Sequence, residues 1–108
     1  MGTRTTKAED RLTELRALWD QHRRTPFPRS SPRSLPPTDM LAEIDSFVAG
    51  YVHQYLGGAR LDRDALLRLR EAEGQLATIL TGLPHGQRSY VTRLIAMTQI
   101  IAGQDRAR

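Results

Sequence analysis

"RSYVTRLIAMTQIIAG", residues 88–103, decides the fold class of this chain. Tyr90, Val91, Leu94, Ile95, Met97, Thr98, Ile100 and Ile101 include pairs three and four apart (91/94, 94/97, 97/100 and 90/94, 91/95, 97/101), the spacing of a helix. They cover more than one stripe of the helix. A helix that is apolar around most of its circumference lies at the centre of a bundle or against another chain. The apolar-rich core of the stretch, residues 91–102, contains Arg93 and is too short to span a bilayer.

The segments before it have narrower stripes. Ala65, Leu69, Ala72, Leu76, Ile79 and Leu83 step by four and three, with Asp62 as N-cap, an Asp64–Arg68 pair at i,i+4, and Gly82 and Pro84 as punctuation. Upstream, Leu41, Ile44, Val48, Tyr51 and Tyr55 form a stripe broadened by Phe47 and Val52. Thr38 caps its start, and Gly57-Gly58 ends it because glycine enters the left-handed region without steric cost. The first stripe is Ala8, Leu12, Leu15, Trp19 and His22, opened by a Thr6–Glu9 capping box and stopped before Pro26. No segment alternates with period two. The expectation is an all-α fold, a small bundle of three to four helices near 7–23, 38–56, 62–82 and 87–102. Residues 1–37 form an N-terminal helix plus a basic Pro-rich extended arm, and residues 38–108 a three-helix core.

That core is about the size at which one apolar cluster is only marginally sufficient. Its fourth helix nevertheless has apolar surface to spare, so something else must cover it. Residues 24–37, fully extended, reach about 40 Å at most, far enough to fold the first helix back over the bundle or over a neighbouring subunit. Self-association is the economical expectation, with Trp19, Ile100 and Ile101 as interface residues.

In a chain of 108 residues, the absence of cysteine excludes disulfides, thiolate metal sites and a cysteine nucleophile. It suits a reducing compartment, and with no apolar leader at the start a cytoplasmic location is expected. The formal charge is +4. Residues 1–37 carry eight basic and four acidic side chains, and residues 38–108 carry eight of each, so the whole excess lies in the N-terminal third. Between Gln21 and Thr38 there are Arg23, Arg24, Arg29 and Arg33 and no acid. Such a segment beside a neutral body is an electrostatic footprint for a polyanion or an acidic protein face.

Prolines at 26, 28, 32, 36 and 37 favour an extended, partly polyproline-II path for that arm, which leaves little entropy to lose on docking. Phe27 and Leu35 are its apolar anchors. After the third helix, Gln87, Arg88 and Arg93 form a second set of residue types that contact bases and phosphates, placed as in a helix-turn-helix.

Chemistry of other kinds finds little support. His22, His53 and His85 lack metal-ligand spacing, so no metal site is expected. Asp39, Glu43 and Asp45 cluster at a helix start, where carboxylates act as solvated partners of the helix dipole. There is no P-loop, GxGxxG or GxSxG motif. No catalytic residue, no enzyme activity, no cofactor and no membrane partner are expected. The function expected is a small non-enzymatic interaction protein, an assembly, adaptor or antitoxin-like component, docking through apolar helix faces and the basic arm. The alternative is a nucleic-acid-binding protein in which Arg23, Arg24, Arg29 and Arg33 contact phosphates, with Gln87, Arg88 and Arg93 secondary.

Overall fold

A computed structural model describes residues 7–28 and 38–106. It is all-α, with helices α1 (Lys7–Arg24), α2 (Thr38–Leu56), α3 (Arg63–Thr81) and α4 (Arg88–Arg106), and a single 3-10 turn (His85–Gln87) ahead of α4. No strand occurs among the described residues. No helix among them is long and apolar enough to cross a membrane. The Thr6 cap lies outside the described residues, as does the side chain of Thr38.

The turn chemistry explains the inner helix ends. After α2, Ala59 N–H donates to the Gln54 carbonyl at 3.0 Å and Gly58 N–H to that of Tyr55 at 3.1 Å, with Gly58 at φ 95°. This is the 6→1 and 5→2 bonding of a Schellman motif, and its left-handed residue is the glycine. The chain then reverses at once. Asp62 accepts from the Ala65 amide at 2.8 Å and opens α3, so α2 and α3 form a tight antiparallel hairpin. Arg68 does not close the expected pair with Asp64; it turns to the α2 side and lines a groove there.

Helix α4 packs on all three of the others. Val91, Leu94, Met97 and Ile101 are fully buried, and the half-buried Ile95 and Ile100 flank them. Helix α1 lies antiparallel on α4. Its His22 meets Tyr90 at one end, and at the other a methyl group added to Gly103 would stand 3.6 Å from the Arg11 guanidinium. Leu15 of α1 is 0% exposed and belongs to the same core as Leu69, Leu76 and Val48.

These contacts correct the interface expectation for Ile101. The apolar surplus of α4 is covered within the chain, by α1 folded back over it, and Ile101 is 0% exposed. Ile100 and Trp19 are half-buried against the same core.

Candidate functional site

Three polar side chains meet where α1 ends and α4 begins. His22 continues the α1 stripe and is buried. Asp45 sits next to Ile44 on α2, just off the apolar face, and is 15% exposed. Tyr90, in the first turn of α4, is also buried. His22 Nε2 lies 2.7 Å from Asp45 Oδ1, and the Tyr90 hydroxyl donates to Asp45 Oδ2 at 2.5 Å. One carboxylate thus ties three helices together. Trp19 stacks on the imidazole at a centroid distance of 6.2 Å, and Tyr90 lies tilted at 4.8 Å from the same ring.

His22 Nδ1 is buried and makes no hydrogen bond, so the polar contacts of the ring run through Nε2. Burial, then the hydrogen bond to Asp45 and its negative charge, push the Tyr90 hydroxyl well above its ordinary pKa; the Arg93 charge opposes this only in part. A tyrosine so held stays protonated and serves as a donor, not a base. The arrangement is a structural tie.

This corrects the reading of Asp45 as a solvated partner of the α2 dipole. The dipole acts within the first turn of a helix, and Asp45 stands seven residues beyond Thr38. Glu43 is exposed as expected and rims the α2–α3 groove with Arg68, Glu71 and Gln75 over a floor of Ile44, Phe47 and Ala72, enclosing about 310 Å³. The side chain of Asp39 lies outside the described residues. His53 and His85 are exposed, and no group of metal-ligating side chains occurs among the described residues.

Above the tie lies a basic surface. The last turn of α1 exposes Arg23 and Arg24, the latter donating from Nε to the Asp20 carbonyl at 3.2 Å. Thr25 Oγ1 donates to the Gln21 carbonyl at 2.7 Å and accepts from Arg93 Nη1 at 3.2 Å. Two residues on, Phe27 packs edge-on against Tyr90, with centroids 5.7 Å apart and planes at 81°, yet remains 38% exposed. The Arg93–Thr25 bond thus brings an arginine of α4 to the end of α1, one and two residues along the chain from Arg24 and Arg23. Arg88, more than one turn earlier at the start of α4, is exposed, its Nε donating to the Leu83 carbonyl at 3.3 Å. Gln87 is half-buried in the 3-10 turn. Arg29, Arg33 and Leu35 lie outside the described residues.

The helix-turn-helix arrangement of Gln87, Arg88 and Arg93 is divided by this geometry. Arg93 turns toward α1, and α4 is wedged among the other helices with only Arg88, Ser89 and Thr92 of its first turns outward. The tie itself was missed by sequence reasoning, although a signal existed. His22 and Tyr90 both fall on apolar stripes, and buried polar groups require partners. Compared with protein-family models, curated proteins and solved structures, the chain matches none.

Proposed function

We propose that this chain is a small non-enzymatic helical interaction protein, an assembly, adaptor or antitoxin-like component, that docks an anionic partner through the basic end of its bundle. The observation that carries the reading is the Arg93–Thr25 hydrogen bond at 3.2 Å, which brings an arginine of α4 to the end of α1, two residues before an exposed aromatic ring. Arginines gathered on a preformed surface raise the local concentration of polyanions and steer them in. Their guanidinium groups suit carboxylate and phosphate alike, since each offers several donors in a planar fork. The tie beneath supports this role, because it fixes the α1 and α4 ends relative to each other and so presents the charges ready-placed.

The non-enzymatic part of the reading is supported by the state of the buried trio. Asp45 is engaged on both oxygens, Tyr90 is held protonated, and His22 offers no exposed nitrogen.

The test is titration of the protein with a heparin fragment, polyglutamate, a random duplex and a short single-stranded oligonucleotide at low and high salt. Binding of at least one polyanion, weakening with salt, is expected. No binding to any of them at low salt overturns the reading.

A further inference from the structure

Resting on that reading of the basic end, we infer that its anionic partner is a single-stranded nucleic acid and that Phe27 is a platform on which one base stacks. Among the described residues the exposed large hydrophobic side chains are Phe27, Met40 and Leu67, of which Phe27 is the aromatic one, and it follows directly on the stretch where Arg93 meets the end of α1. Its position is preorganised from two sides. Pro26 and Pro28 restrict the backbone on either side. Below, its ring meets Tyr90 at 81°, and Tyr90 is held by Asp45. A ring already ordered loses little entropy when a base lands on it.

The surroundings supply the second half of such a site. Arg23 and Arg24 end α1 four and three residues before Phe27, and Arg93 is bonded to Thr25 two residues before it. An aromatic platform beside a cationic track is the general design for single strands, whose bases each present a π-face while the backbone follows the charge. A duplex fits less well. Its bases are stacked on one another, and a ring only 38% exposed does not protrude far enough to be a wedge between them. An acidic protein face would use the arginines but would leave the platform idle.

The experiment measures the affinity of the full chain for short oligothymidine, a random duplex and polyglutamate across a salt series. It is run for the wild type, Phe27→Leu, Phe27→Trp and the pair Arg23→Gln/Arg24→Gln. Leucine keeps an apolar contact with Tyr90 but removes the π-face. Phe27→Leu is expected to weaken oligothymidine roughly 10- to 100-fold with the salt slope unchanged. Phe27→Trp is expected to retain or tighten binding, with quenching of the new indole when the oligonucleotide is added. The arginine pair is expected to lower the slope of log K against log salt by about 0.7 for each phosphate no longer neutralised. If Phe27→Leu unfolds, the quenching of Phe27→Trp decides: an unquenched indole in a bound complex overturns the platform. Unchanged oligothymidine affinity in a folded Phe27→Leu protein overturns the platform and leaves the basic end standing. Preference for the duplex, or binding of polyglutamate without oligothymidine, overturns the single-strand assignment alone. Binding of none of the three removes the basic-end reading with it.

Discussion

Replacing Asp45 with alanine should loosen the end of the bundle more than any surface change of similar size. The substitution removes the acceptor for His22 Nε2–H at 2.7 Å and for the Tyr90 hydroxyl at 2.5 Å. Each hydrogen bond to a charged group contributes about 1.5–3 kcal/mol, and each buried donor left without an acceptor keeps its desolvation cost. Relief comes from no longer holding a carboxylate that is only 15% exposed to water. The tyrosine and the imidazole can also turn partway to solvent. A net loss of about 2–3 kcal/mol follows, two hydrogen bonds to a charged group less these offsets. Tyr90→Phe, which leaves Asp45 with His22 and some water, should cost about 1–2 kcal/mol. In the double variant the Tyr90 donor is gone, so its orphaning in the alanine variant disappears, and the combined loss should fall short of additivity by about 1 kcal/mol. Urea unfolding followed by far-ultraviolet circular dichroism measures all four proteins, with an unchanged slope confirming that native-state stability is what moved. Amide exchange in α1 should rise more than in α3, because α1 is the helix the tie holds down. A cost within about 0.5 kcal/mol of wild type, the range of ordinary surface substitutions, would show that Asp45 does not hold the helices together. Strict additivity in the cycle would show that Asp45 and Tyr90 act independently.

Other consequences concern pH, the core and the glycines. Because the folded chain keeps the Tyr90 proton above the ordinary tyrosine pKa of about 10, the unfolded chain binds fewer protons there, and stability should fall with rising pH from about 10 upward. The extra slope is at most about 1.4 kcal/mol per pH unit and should vanish in Tyr90→Phe; urea midpoints across that range measure it. Ile101→Ala should cost about 3 kcal/mol, whatever the protein concentration, since Ile101 fills the chain's own core, whereas the half-buried Ile100→Ala should cost about 1 kcal/mol. Thermal unfolding at two concentrations separates this from an interface role. Gly50→Ala and Gly74→Ala, in helices with nothing near the added methyl, should each stabilise by roughly 0.5–1 kcal/mol, while Gly58→Ala, at φ 95°, should destabilise by about 1 kcal/mol. Denaturant midpoints give the signs directly.

The helices were legible because each carries both a periodic stripe and local punctuation. Asp62, Gly57-Gly58 and Gly82 stop or start the chain by short-range chemistry that does not depend on what packs nearby. The central place of α4 was legible from the breadth of its apolar arc. What covers that arc was not, because periodicity identifies a face and never its partner: α1 and a second copy of the chain satisfy the same surplus. Asp45 was misread for a related reason. Its distance from the helix start argued against a dipole role, but its true partners are 23 and 45 residues away and reach it only through tertiary packing. The two arginine sets were each visible in sequence, yet the meeting of Arg93 with the end of α1 depends on the antiparallel packing of α1 and α4. Phe27 was recognised as an anchor, while its seat on Tyr90 lay beyond any local pattern.

If the basic end docks the anionic partner, the position of its arginines and not the total charge governs affinity. Two charge-matched variants compared in one salt titration against the tightest-binding polyanion decide this. One carries Arg23→Gln, Arg24→Gln and Arg88→Gln; the other carries Arg60→Gln, Arg63→Gln and Arg70→Gln, all exposed residues in the first half of α3 or just before it. The first variant should lose most of the affinity and up to about 0.7–0.9 of salt slope for each anionic group it no longer neutralises, while the second stays close to wild type. Equal losses in the two would show that net charge alone attracts the polyanion and that the basic end is not the docking surface.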